Sequence, residues 1–229
     1  MADPENQLIE LLPRRERARL LKACDAVHWT LGETVCEAGS PLLHAYFPVD
    51  GFVSIVVLAD DKPGIEVGMI GREGMLGVSL ALGVTSAPFR AVAQGSGSVR
   101  RIGAQALRAE FDVGGALHPL LLHYVNVSMV QMAASAACLR FHQIGHRLAR
   151  WLLMSQDRAH ADHFHVTHEF LAWMLGVRRV GVTLAAGALQ RAHLITYHRG
   201  ELRILDRAGL EHAACSCYKR DQVAYASLA

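Results

Sequence analysis

The spacing of apolar residues divides the chain into regions of different character. Between about residues 6 and 26, leucines recur among charged residues with Pro13 as a break, which predicts short amphipathic helices. From about residue 28 to 103, Gly or Pro occurs every few residues and separates short runs rich in β-branched and aromatic residues. Strands of this length and spacing are typical of an antiparallel sandwich or barrel. Residues 104–111 return to a helical pattern.

The longest helical pattern covers residues 117–141. Its apolar residues alternate at spacings of three and four, as in the a and d positions of a coiled coil: Leu122, Val125, Met129, Met132, Ala136 and Leu139. Because residues 117–139 contain no Asp, Glu, Lys or Arg, we expect burial on more than one side, against the chain's own β domain and against the same helix of a second copy. An ordinary core helix of a monomer is the alternative, since any packed helix carries an apolar stripe.

The C-terminal region predicts two short helices that meet at a glycine. Thr167 suits the N-cap of the first helix, and Gly176 suits the left-handed position that ends it. The second helix begins with Arg178 and Arg179, and the runs on either side of Gly200 predict a hairpin. This order predicts a winged helix-turn-helix whose second helix presents two arginines to the major groove of DNA. A further helix is expected at residues 143–154, with a linker at residues 156–164.

Composition and charge narrow the class of protein. Hydrophobic residues make up 52% and charged residues 19% of the 229 residues, which excludes a disordered chain. The net charge is only +2, so a role in nucleic-acid binding needs basic residues concentrated in one region. Residues 117–139 are long enough to cross a bilayer, but polar side chains interrupt them too often, so no membrane span is predicted. The absence of a nucleophile elbow, phosphate-binding loop, paired carboxylates or HExxH motif argues against an enzyme.

The cellular location follows from the N-terminus and the cysteines. No secretory signal is visible, and the five cysteines show no disulfide-scaffold or CxxC spacing, which is consistent with a reducing compartment. A cytoplasmic protein is therefore expected.

The order of a β-sandwich, a long uncharged helix and a winged helix-turn-helix resembles the Crp/Fnr family of bacterial transcription regulators over nearly the whole chain. The runs that carry the resemblance are residues 67–75, 143–154, 169–179, 187–192 and 206–211. The resemblance implies an α+β fold, with an N-terminal antiparallel β jelly roll of the cyclic-nucleotide-binding type at 1–115, a dimerisation helix at 116–141 and a winged helix-turn-helix at 142–229. It also implies a homodimer, with a pseudo-palindromic DNA operator and RNA polymerase as further partners.

The resemblance assigns candidate DNA contacts residue by residue. Thr167 and His168 are expected to touch phosphates, and Arg179 to read a base. Val180 and Leu184 stand where well-known members carry Glu and Arg, so the operator is expected to differ from theirs. The residues proposed to replace those contacts are Arg178, Gly181 and Thr183. Arg178 is equally suited to hold a phosphate.

The wing tip supplies the remaining DNA contacts, because His198 and Arg199 are expected to touch the DNA backbone. An alternative function is a small-molecule or nucleotide sensor that acts through a protein partner with little DNA binding. The arginine pair at the start of the second helix argues against that alternative.

The effector site departs from the pattern of the members that bind cyclic AMP. Their Gly-Glu-Leu segment falls on Gly77, Val78 and Ser79 here, and the Arg-Ser pair that holds the phosphate falls on Ala87 and Pro88. Alanine and proline supply no charge to a buried anion, so cyclic AMP binding of the usual kind is not expected. A tentative pocket for another small molecule comprises Arg72, Glu73, Gly77, Val78, Ser79 and Arg90. The alternative is that its charged residues are surface charges in loops.

No cofactor or metal is predicted. The cysteine pattern does not suit an iron–sulfur sensor, and haem ligation by His44 or Cys36 is disfavoured. The sequence CxC at Cys215 and Cys217 is expected near the end of a helix with its side chains on different faces, which disfavours a metal or a disulfide. The densest set of metal-ligand types is interpreted as a polar linker, and it consists of His160, Asp162, His163, His165 and His168.

Overall fold

The computed structural model describes residues 5–58 and 64–228. The chain forms two compact units. One contains the residues up to Ile55, Gly68–Val130 and the residues from Ala224 onward, and the other contains Val56–Val67 and Gln131–Val223.

The first unit opens with two short helices, α1 (Gln7–Glu10) and α2 (Arg14–Lys22). The Asn6 side chain caps α1 by accepting hydrogen bonds from the first-turn N–H groups, and Pro13 stands at the N-cap of α2. The helices predicted on either side of Pro13 are therefore confirmed.

The strands that follow belong to two antiparallel sheets. Among the described residues, the strand order is β1-β7-β3 in one sheet and β2-β6-β4-β5 in the other. The strands are β1 (Asp25–Trp29), β2 (Thr34–Cys36), β3 (His44–Pro48), β4 (Phe52–Val57), β5 (Ile65–Ile70), β6 (Arg90–Gly95) and β7 (Gly97–Gly103). The predicted antiparallel β region is confirmed.

The core of the first unit lies under the β1-β7-β3 sheet. A 3-10 helix (Val78–Leu82), α3 (Ala104–Asp112) and the first half of α4 (Leu117–Phe141) contribute apolar side chains to it. Its central buried residues include Phe47, Met75, Ile102, Leu107, Leu121 and Tyr124.

The second unit is mainly helical and contains a small sheet of strand order β8-β10-β9. Apart from the end of α4, its elements are α5 (Ile144–Ala159), β8 (His163–His165), α6 (His168–Leu175), α7 (Arg179–Arg191), β9 (Ile195–His198), β10 (Glu201–Ile204), α8 (Arg207–Ala213) and α9 (Cys217–Ala226).

The predicted linker at residues 156–164 was wrong except at residues 160–162, which lie outside any helix or strand. Residues up to Ala159 continue α5, and His163–His165 form β8. The helix continues because its polar side chains have partners: Gln156 Nε2 donates to Asp162 Oδ1 at 2.8 Å, and Arg158 Nη1 donates to the Met154 carbonyl at 3.0 Å. Buried polar groups that find hydrogen bonds do not oppose helix formation.

Candidate DNA-binding surface and effector domain

Helix α6 is defined at both ends by the residues that the sequence suggested. The Thr167 hydroxyl accepts a hydrogen bond from the Phe170 N–H at 3.1 Å, which satisfies one of the free donors of the first turn. At the other end Gly176 adopts φ 60°, a left-handed conformation that costs a glycine little. The chain then turns at once into α7.

Helix α7 follows after a bend of 107°. This value lies within the roughly 90–120° typical of helix-turn-helix motifs. One face of α7 is buried through Val182, Ala185, Ala186 and Leu189. The opposite face is exposed and carries Arg178, Arg179, Val180, Thr183 and Leu184. Both arginines lie at the N-terminal end, the part of a recognition helix that meets base edges.

A chain of hydrogen bonds joins α6 to α7. The Thr183 hydroxyl donates its one proton to the Arg179 carbonyl at 3.1 Å, and it lies 3.0 Å from His168 Nδ1. His168 therefore donates through Nδ1–H, which leaves Nε2 as the acceptor. The His168 ring also packs against Tyr197 with ring centroids 4.6 Å apart, and Tyr197 donates to the Val166 carbonyl at 2.6 Å.

The electrostatics of this link keep His168 neutral. Burial, and then the charge of Arg179, lower the pKa of His168 below its usual value. Its Nε2 is buried with no hydrogen-bond partner among the described residues, so a second proton there would have no acceptor. Neutral His168 thus positions α7 through Thr183.

The exposed face of α7 includes two apolar residues that the sequence analysis treated only as missing contacts. Val180 is 63% and Leu184 69% exposed, and they lie one turn apart beside Arg179. Exposed apolar side chains on a recognition helix can contact thymine methyl groups. Their spacing from the buried Val182 and Ala186 would have placed them on the outer face.

Gly181 lies on a different side of α7 from the arginines. A Cβ at this position would come within 2.7 Å of Ile144 Cδ1 on α5, so the absence of a side chain permits close packing of the two helices.

The wing is a hairpin with a two-residue turn. Strands β9 and β10 pair with His198 opposite Glu201, which leaves Arg199 and Gly200 as the turn. Both have positive φ, 53° and 89°, as in a type I′ turn whose twist matches that of the strands. His198 and Arg199 are exposed at this tip, as the sequence suggested.

Each charged residue of the tentative effector pocket has a hydrogen-bond or ion-pair partner elsewhere in the chain. Arg72 donates to Glu10 Oε1 at 2.7 Å, and the Glu73 side chain accepts from the Gly71 N–H at 3.1 Å. Arg90 Nη2 lies 3.2 Å from Glu37 Oε1, while its Nε is buried without a hydrogen-bond partner in the described part of the chain. Arg72 and Arg90 are therefore each paired with a different carboxylate.

The remaining pocket residues lie at the start of the 3-10 helix. Gly77 precedes it with φ 88°, Val78 and Ser79 are its first residues, and Val78 packs against the core. Ala87 is buried, and its N–H donates to the Ser40 carbonyl at 2.8 Å.

Two domain families match the sequence in the order that the fold shows. The cyclic nucleotide-binding domain matches residues 26–112, and the Crp-like helix-turn-helix domain matches residues 146–213. Together these matches span more than half of the chain. The chain belongs to the Crp/Fnr family of transcriptional regulators.

Solved structures of other regulators share the fold. FixK2 from Bradyrhizobium japonicum is 16% identical with a TM-score of 0.71, and the alignment covers 84% of this chain and 98% of that one. A CRP-family regulator from Thermus thermophilus is 24% identical with a TM-score of 0.68, covering 82% and 96%. The c-di-GMP-responsive regulator CLP from Xanthomonas campestris is 18% identical with a TM-score of 0.67, covering 84% and 99%. No curated protein sequence matches the chain.

Ala87 and Pro88, the described residues onto which the expected phosphate-binding pair falls, do not offer the groups that a buried cyclic phosphate needs. At Ala87 and Pro88 no cation is present, proline has no N–H, and the Ala87 N–H already has a partner. The residues present do not fit a cyclic nucleotide held in the manner of the family.

Helix α4 carries apolar residues on two faces. Leu121, Tyr124, Val127, Ala134 and Cys138 are buried within the chain. The predicted seam lies on the other side, where Leu122 is 41% and Met129 60% exposed. The remaining seam residues, Val125, Met132, Ala136 and Leu139, are exposed or half-buried. This chain therefore presents an uncovered apolar face along α4.

By length and apolar composition, α4 also resembles a membrane span. Core helices of soluble proteins share both properties, so one such helix is weak evidence for a membrane protein.

The histidine-rich segment does not gather its side chains around one point in the described structure. His165 Nδ1 lies 2.7 Å from Glu201 Oε1, Asp162 accepts from Gln156, and His168 bonds Thr183. His163 is exposed on β8 and His160 ends α5 in a left-handed conformation.

The prediction that Cys215 and Cys217 point apart was wrong. The helix breaks after Ala213, so Cys215 lies in an irregular junction and Cys217 begins α9. The Sγ atoms of Cys215 and Cys217 lie within 4.8 Å of each other, of Cys138 Sγ and of a ring nitrogen of His142. The Sγ atoms of Cys138 and Cys215 lie within hydrogen-bond distance at 3.5 Å, and this interaction raises the pKa of Cys138 and lowers the pKa of Cys215 to about 5.

Proposed function

We propose that this chain is a homodimeric, sequence-specific DNA-binding regulator whose sensor domain, residues 1–115, responds to a small molecule other than cyclic AMP held in the usual way. The single observation that carries DNA binding is the exposed face of α7, where Arg178 and Arg179 stand at the start of a helix that follows a 107° bend. Arginine pairs bidentately with guanine, which makes it the commonest base-reading side chain in the major groove.

Each candidate DNA contact has a role in the proposal. Arg179 reads a base, Arg178 reads a base or holds a phosphate, and the Thr183 methyl group meets a thymine. Thr167, His168, His198 and Arg199 lie near the DNA backbone, where contacts position the protein without reading sequence. Gly181 takes part only through close packing on α5. Val180 and Leu184 add apolar contacts to thymine methyl groups.

Dimerisation through residues 116–141 is part of the same proposal. The uncovered apolar face of α4 supports it, because burying exposed apolar surface favours association. Two copies related by a two-fold axis present two recognition helices, so the operator is a pseudo-palindrome with half-sites about one helical turn, ~34 Å, apart. Location in the cytoplasm and contact with RNA polymerase belong to this function.

The effector remains a small molecule of unassigned class. The unpartnered Arg90 Nε in the sensor domain supports an anionic group. The cyclic nucleotide-binding domain supports an effector in general, while Ala87 and Pro88 argue against the phosphate contact of the cyclic AMP-binding members.

Selection of binding sites from random double-stranded DNA tests the function directly. We expect enrichment of a pseudo-palindrome, and a steep loss of affinity as salt rises because phosphate contacts release counterions. The alternative function, a sensor acting through a protein partner with little DNA binding, predicts no enriched sequence. Enrichment of a single half-site at full affinity would contradict the dimer.

A further inference from the structure

Four metal-ligand side chains meet at the junction of α8 and α9 with the end of α4. They are Cys138, His142, Cys215 and Cys217, and their ligand atoms all lie within 4.8 Å of one another. The three cysteines are buried and form a cluster of their own, separate from the main core. The side chains are therefore already gathered by the fold.

Two of the distances between these atoms are close to the edges of a metal tetrahedron. With metal–sulfur bonds of ~2.3 Å and metal–nitrogen bonds of ~2.05 Å, a tetrahedral zinc site separates two sulfurs by roughly 3.8 Å and a sulfur from a nitrogen by roughly 3.6 Å. Cys138 Sγ and Cys215 Sγ are 3.5 Å apart, and Cys217 Sγ and His142 Nδ1 are 3.7 Å apart. The remaining pairs of ligand atoms are separated by at most 4.8 Å, so an ion at the centre requires them to close from no more than that distance to these edge lengths.

We propose that these four side chains bind a zinc ion in a closed Cys3His site that fastens the end of α4 to the α8–α9 junction. Thiolate and imidazole ligands in a tetrahedral arrangement favour zinc among the common divalent ions. Four protein ligands fill the coordination shell, so the ion has a structural role and not a catalytic one. The site belongs to neither the DNA-binding surface nor the effector domain.

The local sequence explains how the site forms. Cys138 and His142 are one helical turn apart, with His142 just after the last residue of α4. The break between α8 and α9 lets Cys215 and Cys217 face the same point, which a continuous helix would forbid. The zinc ion would thus join segments 77 residues apart in the chain.

The charges around the site suit a metal–thiolate centre. Zinc with three thiolates and a neutral imidazole carries one net negative charge, and its formation releases to solvent the protons of those cysteines that are still thiols. Arg147 is buried nearby, and its described hydrogen bond goes to the neutral Leu175 carbonyl. A negative centre would therefore balance the charge of this guanidinium.

The competing chemistry is a Cys138–Cys215 disulfide. The two sulfurs lie at 3.5 Å in the structure, compared with ~2.05 Å in a disulfide bond. A disulfide would leave Cys217 and His142 without a role, whereas a zinc ion engages all four side chains. The structure therefore favours the metal.

Metal analysis of the full-length protein tests the site. After purification with zinc and exhaustive dialysis, we expect about one zinc ion per chain. Cobalt added to the reduced, chelator-treated protein should produce the visible absorption bands of a tetrahedral thiolate site, and added zinc should abolish them. Wild-type protein alone decides this experiment, so it does not depend on the folding of a variant.

Cysteine variants locate the ligands. Cys138→Ser and Cys217→Ser should each lose most of the bound zinc, and the chelator should then no longer lower the melting temperature. The matched control is the double variant Cys24→Ser and Cys36→Ser, which changes cysteines of the other unit and should retain wild-type zinc. Wild-type protein that binds neither metal, a Cys138–Cys215 disulfide in the protein purified with zinc, or equal zinc loss in the control would each overturn the proposal.

Discussion

His168 on α6 donates its Nδ1 proton to the Thr183 hydroxyl on α7, 3.0 Å away, so one hydrogen bond ties the first helix of the motif to the recognition helix. Thr183 passes the interaction to the Arg179 carbonyl, at the first residue of α7. Arg179, the proposed base-reading residue, is therefore held through its own backbone carbonyl. This link connects the position of the recognition helix to the protonation of a histidine.

Acid should weaken this link. Because burial and Arg179 lower the pKa of His168, the unfolded chain takes up the proton first as the pH falls. The stability contributed by neutral His168 is fully present above the unfolded pKa of about 6.5 and is lost as the pH falls below it. His168→Asn keeps an N–H near the Nδ1 position without titrating, so its melting temperature should fall less than that of wild type between about pH 7 and about pH 5.

The control for this measurement is His163→Gln, which changes an exposed histidine on β8 and should keep the wild-type pH slope. An unchanged slope in His168→Asn would show that other groups account for the acid sensitivity.

Arg179→Ala should reduce binding to the selected operator by about 1–3 kcal/mol and relax the preference at one base pair, because a bidentate contact to guanine is lost. Arg191→Ala, at the opposite end of α7, serves as the matched control and should retain the sequence preference. Titration of each variant against specific and random DNA gives its affinity for the operator and its affinity for unrelated sequences. Equal losses on both DNAs would make Arg179 a phosphate contact.

Met129→Glu combined with Met132→Glu should convert the proposed dimer into monomers, because association would bury like charges across the α4 seam. Replacing the same two residues with Leu nearly preserves side-chain volume and should preserve the dimer. Sedimentation velocity distinguishes the two species. A dimer that survives both glutamates would place the interface elsewhere.

Cyclic AMP at millimolar concentration should give no calorimetric signal of micromolar binding. The reason is that Ala87 and Pro88 supply neither a charge nor a free N–H to the phosphate. A cyclic-AMP-binding family member measured under the same conditions is the positive control. A clear micromolar isotherm would mean that the phosphate is held by other residues of the sensor domain.

Asp221→Asn should lower the free energy of unfolding by about 3–5 kcal/mol, since it leaves the buried Arg150 guanidinium without its counter-charge. Arg150 donates to Asp221 Oδ2 at 2.6 Å from Nη2 and at 3.1 Å from Nε, and both side chains are nearly inaccessible. Asp25→Asn removes the carboxylate of the exposed pair with Arg101 and should cost less than about 1 kcal/mol. Chemical denaturation of the three proteins compares the two pairs, and equal costs would contradict the role of burial.

Local signals were enough to predict the architecture. The Thr167 cap, the Gly176 terminus and the uncharged run of α4 each depend on neighbours within a few residues, and each was found where the sequence placed it. The same holds for the turn at Gly200, because a two-residue hairpin with twisted strands requires positive φ.

Contacts between residues far apart in the chain could not be predicted from the sequence. The bond between His168 and Thr183 needs the angle between two helices, which periodicity does not give. The meeting of Cys138 with Cys215 depends on a helix break after Ala213 and on packing across 77 residues. The extension of α5 through Gln156 depends on a side-chain partner that the linear pattern did not reveal.

The turn of the wing places an arginine where the backbone disfavours one. Arg199 has φ 53°, a left-handed conformation that costs a residue with a Cβ about 1–2 kcal/mol and that glycine or asparagine adopts more easily. Gly200 already meets the same requirement at the other turn position. The hairpin is thus less stable than one with glycine at this position, but its turn carries a positive charge. Arg199→Gly would remove that charge and relieve the unfavourable backbone conformation.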